Sequence, residues 1–424
     1  MASDMNNEIH PFPVRRSTIG SAESNSRVPV VIGTRPFSWL GDDNTGNMIH
    51  AAAARRMLSK FVECDRRGEW TDADIERLRA DHSHLVFVTA NLIRLGVPGD
   101  DPSIKQLVAG LGILTKNIER AALPVVVFGL GSQAPRYGPY EFTVAPETVR
   151  LLNVLSDHSR VIAVRGAFTA EACAKLGIKN VEVIGCQSMF WHRSPRFSWP
   201  LSEPVLDKPD GVVFNFTDAP SEANLINQAM ARGHDVIGHQ NDAEEFVKAN
   251  QPGSLLPEPV KYNWGVAFAF EKGLTDRANY ERWIRKHFYQ FRRPDPWLEH
   301  MRRYCFSYGT RLHGNIAAFL AGVRATWIVH DMRLKEVCDH FCLPTIEFEE
   351  VRAGVALQAL FDRADYSQCS RVYPDRYRAL YDYVEGAGLP HALPSPVNTV
   401  GAIAAAVVEE GDVGGFVPQA AVGR

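Results

Sequence analysis

The sequence predicts an α/β protein with two doubly wound domains facing each other across a cleft, followed by a C-terminal helical segment. Three observations predict it. Short apolar runs rich in Val and Ile alternate with Ala- and Leu-rich helical stretches, the pattern of buried parallel strands and their crossover helices. A proline-rich, aperiodic stretch between Trp191 and Asp210 interrupts the alternation, which then restarts. With 424 residues the chain is long enough for two cores of ordinary size. The expected divisions are a disordered tail over 1–27, a first Rossmann-like domain over 28–195, a linker over 196–210, a second over 211–350, and a helical segment with a frayed end over 351–424.

The strands of the first domain read from its apolar runs: Val28–Gly33, His84–Ala90, Leu123–Gly131, Val161–Gly166 and Val181–Gly185. Between them lie helical stretches. The first, Met48–Leu58, is alanine-rich and is entered by Gly41-Asp42-Asp43-Asn44-Thr45-Gly46-Asn47, whose Asp, Asn and Thr are cap formers. Ile104–Ala122, Pro146–Leu155 and Ala167–Leu176 are the others, the last stopped by Gly177. In the second domain Gly211–Phe216, His234–His239, Cys305–Tyr308 and Ala325–Val329 read as strands. Ser221–Arg232, Ala243–Ala249, Asp276–Phe291 and Pro296–Arg303 read as helices. The aromatic stripe of Asp276–Phe291 has the spacing of a core-facing helix face.

Composition narrows the class. Hydrophobic residues make up 45% and charged residues 22%, with a formal net charge of −3. These are values of a soluble globular protein and give no support to a nucleic-acid binder or a polybasic membrane anchor. Seven cysteines without a C-x-x-C pair argue against a disulfide framework or a zinc ribbon and fit a reducing cytoplasm. No metal site is expected. No apolar run reaches the length of a membrane span, and the N-terminus lacks the apolar segment of a signal peptide. Peripheral membrane contact and a homo-oligomer both stay open.

The most informative stretch is Tyr304–Leu343. It reads as strand, Gly-Thr turn, and a helix entered by Arg311-Leu312-His313-Gly314, then a second strand ending in His330-Asp331, with Lys335 four residues beyond Asp331. Unpaired N–H groups at a helix start favour an anion, and an Arg and a His there suit phosphate or carboxylate. The alternative is a surface Arg and a capping His. Arg165 repeats the arrangement at the end of Val161–Gly166, where a simple salt bridge is the competing reading. In open α/β sheets ligands bind at the carboxyl ends of the strands. Into one cleft, then, project Asn44 with Asp42 or Asp43, Arg165, Arg311, His313, Asp331 and Lys335. Gly129-Leu130-Gly131-Ser132-Gln133 ends another strand, where the glycines with Ser132 and Gln133 either let a ligand approach the backbone closely or are plain turn residues. No P-loop, H-E-x-x-H, EF-hand or G-x-S-x-G motif occurs.

These stretches together resemble the polysaccharide pyruvyl transferase family over roughly residues 30–345. The residues that carry the likeness are the 41–47 loop and its Ala-rich helix, VVVFGLGSQAP, VIAVRGAFTAEACAKLGIKNVEVIG, and SYGTRLHGNIAAFLAGV followed by WIVHDMRLKEV. The resemblance implies a GT-B-like pair of domains with the acceptor side first and the donor side second. It implies phosphoenolpyruvate as co-substrate, no cofactor, and a sugar or lipid-linked saccharide as acceptor, in exopolysaccharide or cell-envelope synthesis in the cytoplasm. Arg165, Arg311, His313 and Lys335 match donor-binding positions, and Asn44, with Asn47 in the same loop, matches the acceptor loop. The expected chemistry has His313 as acid, with Asp42, Asp43 or Asp331 as base. The chain departs from the family pattern in three places. Gly166 stands where Asp follows the arginine, Cys186-Gln187-Ser188 stands where Asp-Pro is usual, and Asn47 stands where the loop ends in Asp. A nucleotide-sugar glycosyltransferase and a non-catalytic glycan-binding protein are the competing functional readings.

Overall fold

The computed structural model describes residues 27–36, 44–64, 68–97, 99–102, 104–135, 138–197, 201, 211–216, 222–239, 242–249, 264–352 and 354–396. The expected tail, most of the linker, the frayed C-terminus, Asp42 and Asp43 lie outside the described residues.

Two parallel sheets form. The first contains β1 (Val28–Gly33), β2 (Val62–Glu63), β3 (His82–Val88) and β5 (Val125–Phe128) in the order β2-β1-β3-β5. β3 and β5 each break at their carboxyl ends and continue as the parallel pair β4 (Asn91–Arg94) and β6 (Gly131–Gln133). The sequence suggested one strand over Leu123–Gly131. Gly129 divides it by taking a φ of +78°, a conformation that costs glycine little. A bridge from Leu130 to Val164 carries the sheet on to β7 (Ile162–Val164) and β8 (Val181–Val183).

The second sheet is β11-β10-β9-β12-β13-β14, all parallel, built from β9 (Val212–Asn215), β10 (Asp235–Ile237), β11 (Phe288–Tyr289), β12 (Phe306–Gly309), β13 (Arg324–Val329) and β14 (Thr345–Glu347). Counted within the unit, this is the 3-2-1-4-5-6 order of a dinucleotide-type fold, whose direction of winding reverses between β9 and β12. β11 lies where the sequence predicts the end of a helix. The helix expected to run to Phe291 stops at His287, and Phe288 and Tyr289 instead pair with Val236 and Ile237. Two aromatic residues fit a half-buried edge strand better than the polar end of a helix.

Strand interiors such as Val125–Phe128 are apolar on both faces and fully buried, as helices on both sides require. Helix starts follow local chemistry. Thr71 and Asp74 exchange bonds in a capping box ahead of the helix Asp72–Asp81. Asp276 accepts from the Asn279 N–H to begin the helix Arg277–His287.

The segment after β14 is helical and returns to the first unit. Along the helix Ser367–Gly386, Tyr373 donates to the Met189 carbonyl and Tyr377 to that of Arg193. The Tyr383 hydroxyl donates to the Val127 carbonyl at 2.7 Å and accepts from the Val127 N–H at 3.0 Å. The architecture is thus GT-B-like: two doubly wound units with a terminal helix crossing back. No described helix is long and apolar enough to cross a membrane.

Candidate functional site

The turn after β12 lies where the second sheet reverses its winding, and the backbone there leaves no room for side chains. Gly309 has φ +141°, and a Cβ on it would come within 1.8 Å of the Asn215 carbonyl oxygen. That carbonyl accepts from the N–H groups of Thr310 and Arg311. The Asn215 amide donates to Ser307 and Asn315, and Asn315 donates to the Gly309 carbonyl. Gly314 admits the Asn215 side chain, whose Oδ1 would stand 2.3 Å from an added Cβ. This buried network fixes the angle at which the helix Leu312–Leu320 leaves the sheet.

On that frame Arg311 stands at the N-terminal boundary of the helix and donates from Nε to the Phe216 carbonyl at 3.0 Å. His313, 8% exposed, turns toward the first unit. Its Nε2 lies 3.5 Å from the Cys186 sulfur, and its ring centroid is 5.3 Å from that of His50. Burial, then the charges of Arg165 and Arg333, hold its pKa well below the ordinary value. His50 is lowered in the same way by burial, Arg165, His313 and Arg55. His239, after β10, is lowered by burial, Arg311 and His313. Burial thus disfavours the charged form of all three imidazoles, which lie among fixed cations.

Arg165 follows β7 and is 1% exposed. Its Nη1 donates to Asn91 at 3.1 Å, while Nε and Nη2 make no hydrogen bond. Two donors of this buried guanidinium are unmet by protein groups, which leaves them available to an anion. Glu336 lies within its electrostatic reach but is already engaged, accepting from the Thr169 N–H and hydroxyl at 2.9 and 2.8 Å. Burial raises the Glu336 carboxyl to about 7 despite those bonds.

The other expected residues fall as follows. Asn44 accepts the Gly46 N–H at 3.0 Å and shapes the loop. Asn47 bonds to His50 Nε2 at 3.3 Å, and Gln187 to His50 Nδ1 at 3.1 Å. Ser132 is fully buried with its hydroxyl unbonded, and Gln133 accepts from Arg94. Asp331 caps the helix Met332–Phe341 by accepting the Leu334 N–H, and pairs with Arg333 at 3.0 Å. Burial alone would raise its carboxyl, but Arg333, His330, the Leu334 N–H and Arg94 hold it low, so it is a weak base. Lys335 does not join the cluster. Its ammonium pairs with Asp339, one turn along the same helix.

Arg333, Arg94, His50, His239 and Cys186 were not singled out as site residues from sequence. Arg333 had a readable signal, two residues past Asp331 at a strand end. The histidines had none, since His50 sits mid-helix and His239 at the end of a short strand. Among the described residues no group of His, Cys, Asp and Glu is arranged to hold a metal ion.

Fold and site together define a two-unit α/β protein with a cationic, histidine-bearing junction. The chain belongs to the polysaccharide pyruvyl transferase family, whose pattern it matches over residues 44–332. Among curated proteins none matches it. Similar solved structures include Anabaena HepE in complex with UDP-glucose, at 9% identity and TM-score 0.41, covering 90% of this chain and 99% of the other. UDP-N-acetylglucosamine 2-epimerase from Rickettsia bellii overlaps at 11% identity and TM-score 0.38, covering 85% and 96%. A functionally uncharacterised Klebsiella pneumoniae protein does so at 11% and 0.34, covering 76% and 92%. At these identities and overlaps no ligand of theirs is carried over to this chain.

Proposed function

We propose that this protein transfers a pyruvyl group from phosphoenolpyruvate to two hydroxyls of one sugar residue, forming a ketal on a glycan or glycan precursor. The observation that carries this reading is the Arg165 guanidinium, buried with Nε and Nη2 unbonded, within electrostatic reach of His313. Arg165 and Arg333, with Arg311 near His239, supply charges for a donor that bears both phosphate and carboxylate.

As the dianion binds, it offsets the cations and lets His313 take a proton. His313 passes that proton to the methylene carbon, leaving an oxocarbenium-like centre at C2 that one acceptor hydroxyl attacks. The C2–O bond to phosphate breaks, and the second hydroxyl closes the ketal. Of the two hydroxyl protons released, one replaces the proton spent by His313 and the other leaves with phosphate. Asp42 or Asp43, just before Asn44 in the sequence, is the proposed base.

The test is incubation with phosphoenolpyruvate and a panel of galactosyl, mannosyl and glucosyl acceptors, following phosphate release and ketal formation by mass. Thermal stabilisation by phosphoenolpyruvate and not by nucleotide-sugars is expected. Replacing His313 with Ala should lower kcat by about a hundredfold or more. An undiminished rate of phosphate release in that variant would remove His313 from the acid role.

A further inference from the structure

Cys186-Gln187-Ser188, the segment that departs from the family pattern, lies directly against the imidazoles. The Cys186 sulfur is 3.5 Å from His313 Nε2 and 3.0 Å from the Ser188 hydroxyl. Gln187 bonds His50, whose ring adjoins His313 from the other unit. Cys186 is fully buried, and Arg165, with two unbonded donors, lies within its electrostatic reach.

Groups within reach of His313 come from five neighbouring segments. They are Cys186 from the turn after β8, His50 from the helix Gly46–Met57, Arg165 after β7, Arg333 from the helix Met332–Phe341, and His239 after β10. Among the described residues none of these groups is a carboxylate. A carboxylate touching Nε2 would favour the imidazolium at all times, whereas a thiol is a much weaker acid that still offers a hydrogen bond.

We propose that Cys186 is a positioning residue for His313. Its thiol fixes the imidazole through Nε2 without placing a carboxylate beside it, so the proton that His313 delivers is acquired together with the anionic donor. The proposal rests on the acid role given to His313 above. It adds that proton loading is conditional on donor binding, which keeps an unloaded site from protonating anything else.

The test has one arm that needs no turnover. In the unliganded protein the His313 ring signals, assigned by their loss in H313Q, are titrated by NMR in the wild type and in C186D. The wild-type ring should stay neutral through the neutral range, and C186D should raise its titration by about one pH unit or more. Identical titrations would overturn the proposal. In the second arm, calorimetry in buffers of different ionisation enthalpy should show wild type taking up close to one proton on binding phosphoenolpyruvate near neutral pH, and C186D clearly less. Equal uptake by the two would also overturn it.

Should a buried carboxylate prevent folding, C186A and C186S carry the test. C186A should lose about tenfold in kcat with the KM for phosphoenolpyruvate nearly constant, and C186S should recover part of that loss through its hydroxyl. Wild-type kcat in C186A would overturn the positioning role. Failure of the wild type to form a ketal on any acceptor would count against the pyruvyl reading, while the titration arm still decides what Cys186 does to His313.

Discussion

The imidazoles of His50 and His313, one from each α/β unit, approach to 5.3 Å between centroids with their planes tilted by 36°. Burial heads the causes that hold both below the ordinary histidine value. It also draws His234 and His340 down to about 4, aided by Arg232 and Arg376 respectively. A histidine lowered in the folded state binds fewer protons than its unfolded counterpart. Its contribution is therefore intact above the unfolded value near 6.5 and is lost as pH falls toward the folded one. The melting temperature should decline between about pH 6.5 and about pH 4, with His234 and His340 each costing roughly 2 kcal/mol by about pH 5. A thermal-shift series over that range checks this, and H340Q should flatten part of the decline. A constant melting temperature would contradict it.

Arg333 and Lys335 separate cleanly as mutational targets. Arg333 lies within electrostatic reach of His313, whereas Lys335 is paired with Asp339. R333A should raise the KM for phosphoenolpyruvate about tenfold or more, the scale of one lost charge-assisted contact. K335A should change it by less than about threefold, since it removes an exposed ion pair. Steady-state kinetics on both variants, with the reverse ranking, would return Lys335 to the donor site.

Gly166 is required for space. Its φ of −169° is ordinary extended backbone, yet a Cβ there would come within 2.5 Å of the Glu336 Cβ and 2.9 Å of the Glu336 carbonyl oxygen. G166A should cost about 1–3 kcal/mol. G166D, which restores the family's residue, should cost more because it forces a second carboxylate against Glu336. Chemical denaturation measures both, and a G166D variant as stable as wild type would show that the contact can relax.

Tyr383 completes the backbone bonding of β5 through Val127. Y383F should lower stability by about 1–3 kcal/mol, because it leaves a buried N–H and carbonyl without that partner. Urea unfolding would report it as a lower midpoint with the slope unchanged, and a midpoint equal to wild type would mean the hydroxyl contributes nothing net.

Much of the fold could be read from sequence because its strands are buried on both faces. Val28–Gly33 and Val125–Phe128 are continuous apolar runs that need no partner to be recognised. Among the strands that the sequence reading lacks, Val62–Glu63, Phe288–Tyr289 and Thr345–Glu347 are two or three residues long and sit at the sheet edges, and the four-residue Asn91–Arg94 belongs to a two-stranded pair. Pairing creates them more than propensity does. The site divides in the same way. Arg165, Arg311 and His313 stand at strand ends ahead of helices, a position with a local signature. His50 and Cys186 become site residues only when the units meet: the loop before His50 and the departure from the family pattern at Cys186 are legible in the sequence, but the contact of either with His313 is not. The choice between Arg333 and Lys335 turns on how far the helix has rotated when each side chain emerges, which the spacing alone leaves open.

The bond between Val127 and Tyr383 joins positions 256 residues apart in the chain. During synthesis the strand bearing Val127 emerges early, while its hydroxyl partner follows only after the whole second unit has been made. At about 5–20 residues per second the interval is roughly a quarter to a full minute. For that time the first unit carries an unfinished sheet flank, to which a strand of another chain could attach. The last helix thus acts as a late-arriving cover, and the exposure of nascent chains to one another is set by how quickly it follows.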